Sequence, residues 1–344
     1  MEKIMRKFDG ATLFLAAMIA VAIAVVGFMV VSQYQNAQRP AALTVAVEKL
    51  EDYAPFDGSL AMGYLEGMCA IGPRVSGSPG MARQQQYLTK ILEAAGGKVS
   101  LQEFDVRHPE DGSRVPMANL IAQFYPDRPE RILLCAHYDT RPFPDQDPLN
   151  PQGTFVGAND GASGVAVLCE LARHLGDLKS HVGVDIVFFD GEELVFDNRR
   201  DPYFLGSEYF ARDYAQNPPA HRYRYGVLLD MVGDKDLQIF EEKNSLRYPD
   251  VRPLVRDIWS TARKLGIREF IARPRHEVRD DHLVLNDIAK IPTCDIIDFD
   301  YPNPGYGPKY WHTEKDVPAN CSALSLAKVG KTILTWLNEL EPSR

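Results

Sequence analysis

Five apolar runs of strand length constrain this chain more than any other feature: NLIAQFYP from Asn119, RILLCAHYD from Arg131, VDIVFFDGEE from Val184, YGVLLDMVG from Tyr225 and IPTCDIIDFD from Ile291. Between and around them lie segments with helical spacing of apolar residues: MARQQQYLTKILEAA, GASGVAVLCELARHL, PLVRDIWSTARKL and LSLAKVGKTILTWLNEL. Buried strands alternating with helices predict an α/β fold, a single globular domain with a mixed, largely parallel central sheet flanked by helices.

In such sheets ligands gather at the carboxyl ends of the strands, where the connecting loops converge. His137 and Asp139 close one strand, Glu192 and Glu193 close the next, and Asp230 closes a third, while His312 follows a fourth in a loop. Every strand has to end in something polar. Three consecutive strand ends carrying metal-competent residues ask for more than that. A catalytic zinc takes about three ligands drawn from His and carboxylate, keeps a position open for substrate or water, and needs a base nearby. Asp160 offers a further carboxylate in VGANDGASG, where Gly157, Gly161 and Gly164 allow a tight turn before a helix begins. Neighbouring side chains at Glu192 and Glu193 cannot point the same way, so one can bind metal while the other faces substrate. Taken alone, such a pair reads as a solvated loop.

Acidic residues outnumber basic ones by 47 to 38, for a net charge of -9, so no basic field exists to attract nucleic acid. The five cysteines show no CxxC spacing, which argues against a thiolate zinc cluster and a disulfide-dense scaffold. Residues 11–31 form a nearly unbroken apolar run, about 31 Å long as a helix and enough to span a bilayer. Lys3, Arg6 and Lys7 precede it, so the positive-inside rule leaves a cytoplasmic tail at 1–10 and an anchor at 11–32. A stalk at 33–57 and a catalytic domain at 58–344 then follow on the exported side, periplasmic or luminal.

The ordered succession AHYDT, VGANDGASG, FFDGEE, LLDMVG, DDH and YWHT resembles the zinc aminopeptidase superfamily and, within it, the glutaminyl cyclases. The similarity starts at RVSGSPGMARQQQYL and covers nearly all of the exported part. The resemblance implies zinc ligands at Asp160, Glu193 and His312, with Glu192 as general acid/base. It also implies a hydrogen-bonded carboxylate pair at Asp230 and Asp280 beside the scissile amide. In two-metal aminopeptidase relatives the positions of His137 and Asp230 hold a second zinc bridged through Asp160, whereas cyclases keep those residues and bind one. One zinc is therefore expected, or two for an aminopeptidase.

Three features favour the cyclase: DDH at 280–282 where peptidases commonly have SDH, the long loop LVFDNRRDPYF after Glu193, and Trp311 before His312 as a pocket wall. Two depart from it: Asn198 stands where cyclases carry a pocket tryptophan, and GANDGASG reads like the peptidase form. The expected substrate is a peptide or protein N-terminus; the expected reaction is cyclisation of N-terminal glutamine to pyroglutamate, with aminopeptidase cleavage as the alternative. His108, His174, His181, His221 and His276 are expected on the surface or in packing, His282 to tune the carboxylate pair, and 268–279 as an exposed loop.

Overall fold

The computed structural model describes Met18, residues 48–301 and residues 309–342. The elements described below all lie in the compact unit Lys49–Arg344. Strands β1 (Lys98–Arg107) and β2 (Arg114–Phe124) form an antiparallel hairpin, and β3 (Glu130–His137), β4 (Gly183–Phe189) and β5 (Arg222–Asp230) follow in the chain. β6 (Ile239–Glu242) and β7 (Phe270–Arg275) make a separate two-stranded parallel sheet, and β8 (Thr293–Ile297) returns to the main one. The six-stranded order is β1-β2-β4-β3-β5-β8, with β4, β3, β5 and β8 mutually parallel and the β1–β2 hairpin antiparallel at one edge.

Helices cover both faces: α1 (Gly58–Cys69), α2 (Pro79–Ala94), α3 (Ser163–Ala172), α4 (Leu205–Gln216), α5 (Arg252–Lys264), the short α6 (Asp281–Val284), which runs into a wide π turn at Leu285–Ala289, and α7 (Ala323–Glu339). Local chemistry sets several starts. Asp57 accepts from Ser59 and Leu60 N–H at α1, and Ser78 caps α2 with Pro79 at its first position. Glu170, wholly buried on α3, accepts the Asp57 N–H at 3.1 Å. Alternation along β3 splits the core: Ile132, Leu134 and Ala136 join one cluster, while Leu133 and Cys135 join Phe189, Phe210 and Leu285 on the other face. Each fully buried Leu or Ile there stabilises by about 1.5–3 kcal/mol.

The amino ends of these strands carry a polar cluster of another kind. Arg131 and Asp185, both without exposure, form a buried ion pair. The same guanidinium donates to the carbonyls of Tyr125, Phe124 and Val184 at 2.6, 3.0 and 3.1 Å. With its donors satisfied, this pair is structural.

Two expectations are corrected. The stalk does not reach residue 57, because a 3-10 turn at Leu50–Tyr53 is folded and Tyr53 and Phe56 are buried. Gly330 on α7 makes the room: a Cβ there would lie 2.1 Å from the Phe56 ring. Nor is 268–279 a loop throughout, since it contains β7. Its arginines disguise it, although Arg273 and Arg275 lie over the Phe240 ring at 5.2 and 4.7 Å and Phe270 packs on Trp259. The expected anchor at 11–32 lies outside the described residues apart from Met18. Among the described residues no helix is long and apolar enough to cross a membrane.

Candidate active site

Three loops bring the acidic and histidine side chains together at the carboxyl ends of the parallel strands. The first, after β3, turns through Gly157 (φ 58°) and Gly161 (φ 92°), left-handed conformations that favour glycine. A Cβ on Gly161 would also lie 2.5 Å from the Asp139 carbonyl oxygen. Gly164 serves differently: it has no positive φ, but a Cβ would stand 2.1 Å from the Leu229 carbonyl, so glycine lets α3 rest on β5. The buried Asp316 carboxylate accepts the N–H groups of Asn159 and Asp160 at 2.7 and 3.1 Å and the Tyr301 hydroxyl at 3.0 Å. Asp160 is thereby aimed by its own backbone.

The second loop leaves β4 through Gly191 (φ 76°), and the N–H groups of Glu192 and Glu193 both donate to the Asp139 carboxylate, at 3.2 and 2.9 Å. The third carries His312, itself at φ 55°, with the Trp311 ring stacked on it at 3.8 Å. His312 Nε2 lies 3.1 Å from Glu193 Oε1 and 3.4 Å from Asp160 Oδ2, so Asp160, Glu193 and His312 form one buried triad. A second triad shares Asp160: His137 Nε2 is 3.2 Å from both Asp160 Oδ1 and Asp230 Oδ1.

The neighbouring carboxyl groups differ sharply in character. Burial and the Glu193 charge push Glu192 well above the ordinary carboxylate range, against the pull of His137. Burial would raise Glu193 too, but His312 and Arg141 outweigh it and hold that carboxyl well below the usual range. Asp280 is pushed well up by burial and by Asp230 and Asp281. Glu192, Glu193, Asp230, Asp280 and His312 border a cavity of about 330 Å³, whose wall includes Trp311, Phe299, Tyr203 and Asn198. Every site residue expected from sequence, His137, Asp160, Glu192, Glu193, Asp230, Asp280, Trp311 and His312, lies in the two triads or in this wall.

The model of peptidase family M28 matches residues 119–337. The chain belongs to that family. Its fold is similar to the crystal structure of a glutaminyl cyclase from Fimbriiglobus ruber, with a TM-score of 0.78, 39% identity, and coverage of 88% of this chain and all of that one. A Zn-dependent exopeptidase from Parabacteroides distasonis aligns at TM-score 0.75 and 36% identity over 83% of this chain and 99% of its own. A glutaminyl-peptide cyclotransferase of Gloydius blomhoffii is 26% identical over 299 residues, 77% of each chain.

Other residues of this M28 domain that shape the site were not visible in the sequence. Arg141, 2% exposed, donates to Glu193 Oε2 and to Asp145 Oδ1, each at 2.6 Å, and to Asn198. Asp145 Oδ1 lies 3.3 Å from His312 Nδ1, on the ring edge opposite Asp160 and Glu193. Asn198 takes the Tyr203 hydroxyl at 2.9 Å and donates to Asp145 at 2.9 Å, so a polar network occupies this part of the wall. Only a His followed by D, T and R after a strand end hinted at Arg141, and nothing in the sequence paired it with Glu193. The bland reading fits His108, His174, His181, His221 and His276, none of which borders this cavity.

Proposed function

We propose that this M28 domain cyclises N-terminal glutamine of peptides or proteins to pyroglutamate with release of ammonia. The observation that carries this reading is Asp280, a buried carboxyl of raised pKa bordering the same cavity as Asp230 and Glu192, in a chain whose solved relatives include glutaminyl cyclases. The donor set suits zinc. Asp160 Oδ2 is buried without a hydrogen-bond partner, and His312 turns Nε2 toward it while Nδ1 faces Asp145, the arrangement by which carboxylates orient metal-bound imidazoles. Asp160, Glu193 and His312 would hold the ion, whose chemistry when bound is Lewis-acid polarisation of the glutamine side-chain carbonyl.

The chain's own groups do the rest. The cavity seats the side chain against Trp311 and presents the α-amine to Glu192 and Asp230. The amine nitrogen forms a bond to Cδ while the bond from Cδ to the amide nitrogen breaks. Glu192 takes the proton released by the amine and delivers it to the departing ammonia, a task suited to a carboxyl of raised pKa. Asp280, holding its proton, offers a hydrogen bond to Asp230 and steadies that carboxylate beside the amine. Because the nucleophile and electrophile belong to one substrate, orientation supplies most of what remains.

The test is incubation of the purified domain with a glutaminyl dipeptide and with a leucyl anilide, following ammonia and free amine separately. Ammonia from the first with no amine from the second is expected, together with about one zinc per chain. Amine release without ammonia, with two zinc ions per chain, would instead favour the aminopeptidase that the second triad could serve. The same reading includes anchoring through residues 11–32, with the domain on the exported side; release of the full chain from membranes by alkaline carbonate would count against it.

A further inference from the structure

The segment that carries Asp280 is short and irregular, lying between the end of β7 at Arg275 and the first turn of α6. Its position is fixed from outside. Glu242, the last residue of β6 and 1% exposed, accepts the Val278 N–H at 2.9 Å and the Asn244 N–H at 2.8 Å on Oε1. On Oε2 it accepts the Ser245 N–H at 2.6 Å and faces His282 Nε2 at 3.3 Å. Asn244 Nδ2 donates to the Val278 carbonyl at 2.7 Å, and the Lys243 N–H donates to the His276 carbonyl at 3.1 Å. Val278 stands two residues before Asp280 and His282 two residues after it. Both anchors therefore converge on one carboxylate. Between them, Asp280 turns back to cap α6, with Oδ1 on the Asp281 N–H at 2.6 Å.

From this geometry we infer that Glu242 is a positioning residue for the reaction, gripping the chain on both sides of Asp280 and so fixing where that carboxyl meets Asp230. The inference rests on the proposed role of Asp280. A surface glutamate ending a strand needs none of these partners; this one is sealed in, and His282 and the backbone N–H groups outweigh burial to keep its carboxyl below the usual range. His282 is itself without exposure, with Nδ1 facing the buried Asp295 carboxylate at 3.8 Å, so the second anchor is enclosed in the core behind the site. The small sheet of β6 and β7 thereby acquires a function: it delivers Glu242 to the back of the site.

Glu242→Gln keeps the shape but removes the charge facing His282 and turns an amide NH2 group toward backbone N–H donors. Misplacement of a reacting group by an ångström can lower a rate roughly 10²-fold. The variant is therefore expected to lose about 10- to 100-fold in kcat on a glutaminyl dipeptide, with KM within about threefold and the zinc content unchanged. Glu170→Gln, at an equally buried carboxylate that supports α1, is the control and should lower Tm without lowering kcat. Should Glu242→Gln fail to fold, His282→Gln and Asn244→Ala each remove one anchor and should give the same split between kcat and KM. Unchanged kcat in the folded variants, or a loss that follows only the folded fraction, overturns the inference. Wild-type protein that releases no ammonia refutes the cyclase reading separately; the Asp280 position in a crystal structure of Glu242→Gln, displaced or unmoved, then decides the positioning role.

Discussion

Asp316→Asn isolates what the backbone contributes to the metal site. Asp316 is fully buried and holds two N–H groups, those of Asn159 and Asp160, on different oxygens, with the Tyr301 hydroxyl on the same oxygen as Asn159. An asparagine can keep its oxygen on Asn159 and Tyr301 only by turning its amide nitrogen to the Asp160 N–H, donor against donor. One buried donor is then orphaned, at about 1–3 kcal/mol. Domains of 150–250 residues lose roughly 2–4 °C of Tm per kcal/mol, so the metal-free variant should melt several degrees below wild type. Loosening the support of a ligand typically weakens metal binding by about 10- to 100-fold, or roughly 1.4–2.7 kcal/mol. Calorimetry with and without zinc, plus chelator competition at pH 8, measures both effects. The zinc-dependent gain in Tm should shrink as well as the baseline. A zinc Kd within twofold of wild type would refute the claim that Asp316 aims Asp160.

Other outcomes follow from the same geometry. Glu192→Gln should keep its zinc and lose roughly 10²–10⁴-fold in turnover, whereas Glu193→Gln should lose zinc by metal analysis; full metal in both would invert the assignment. Gly164→Ala gains at most about 1 kcal/mol of helix propensity, but it drives a methyl to 2.1 Å from the Leu229 carbonyl; such overpacking costs about 1–3 kcal/mol, so the urea midpoint should fall, and an unchanged midpoint would argue against the close packing. Burial, with a contribution from Asp234, raises the Asp298 carboxyl to about 8. The folded chain thus holds a proton that the unfolded chain releases near pH 4. That contribution is complete below about pH 4 and is lost as pH rises through 8, so wild type should lose stability relative to Asp298→Asn across this range. A constant difference between the two proteins would exclude it.

The parts of the fold that were legible in sequence are those whose physics is local. β4 is buried along its whole length and reads as an apolar run broken only by Asp185, the partner of Arg131. β1 escaped because only Phe104 of its ten residues is buried; an edge strand can be polar on both faces when its register is set by a hairpin partner. β7 escaped for a related reason: its arginines stabilise it through their contacts with Phe240, a residue 33 and 35 positions away. Most of the metal triads were legible because His137, Asp160, Glu193 and Asp230 sit in glycine-flanked or strand-terminal motifs, whereas His312, in a loop, was read through its YWHT motif. Arg141 and Glu193 meet across 52 residues and Asp316 reaches Asn159 across 157, so nothing in either neighbourhood announces the other. At Gly164 the residue was singled out for turning, although its missing side chain matters for packing.

His312 and Glu193 lie 119 positions apart, and Asp160 comes from yet another loop. An unfolded chain therefore offers no pre-assembled fragment of the triad, and any ion seated there discriminates in favour of the folded state. It would act as a knot tied after the cloth is woven: added late, cinching three loose edges whose weave, the parallel strands beneath, already stands. Withdrawing the metal should accordingly relax the loops near Asp160, Glu192 and His312 toward faster amide exchange while β3, β4 and β5 stay protected.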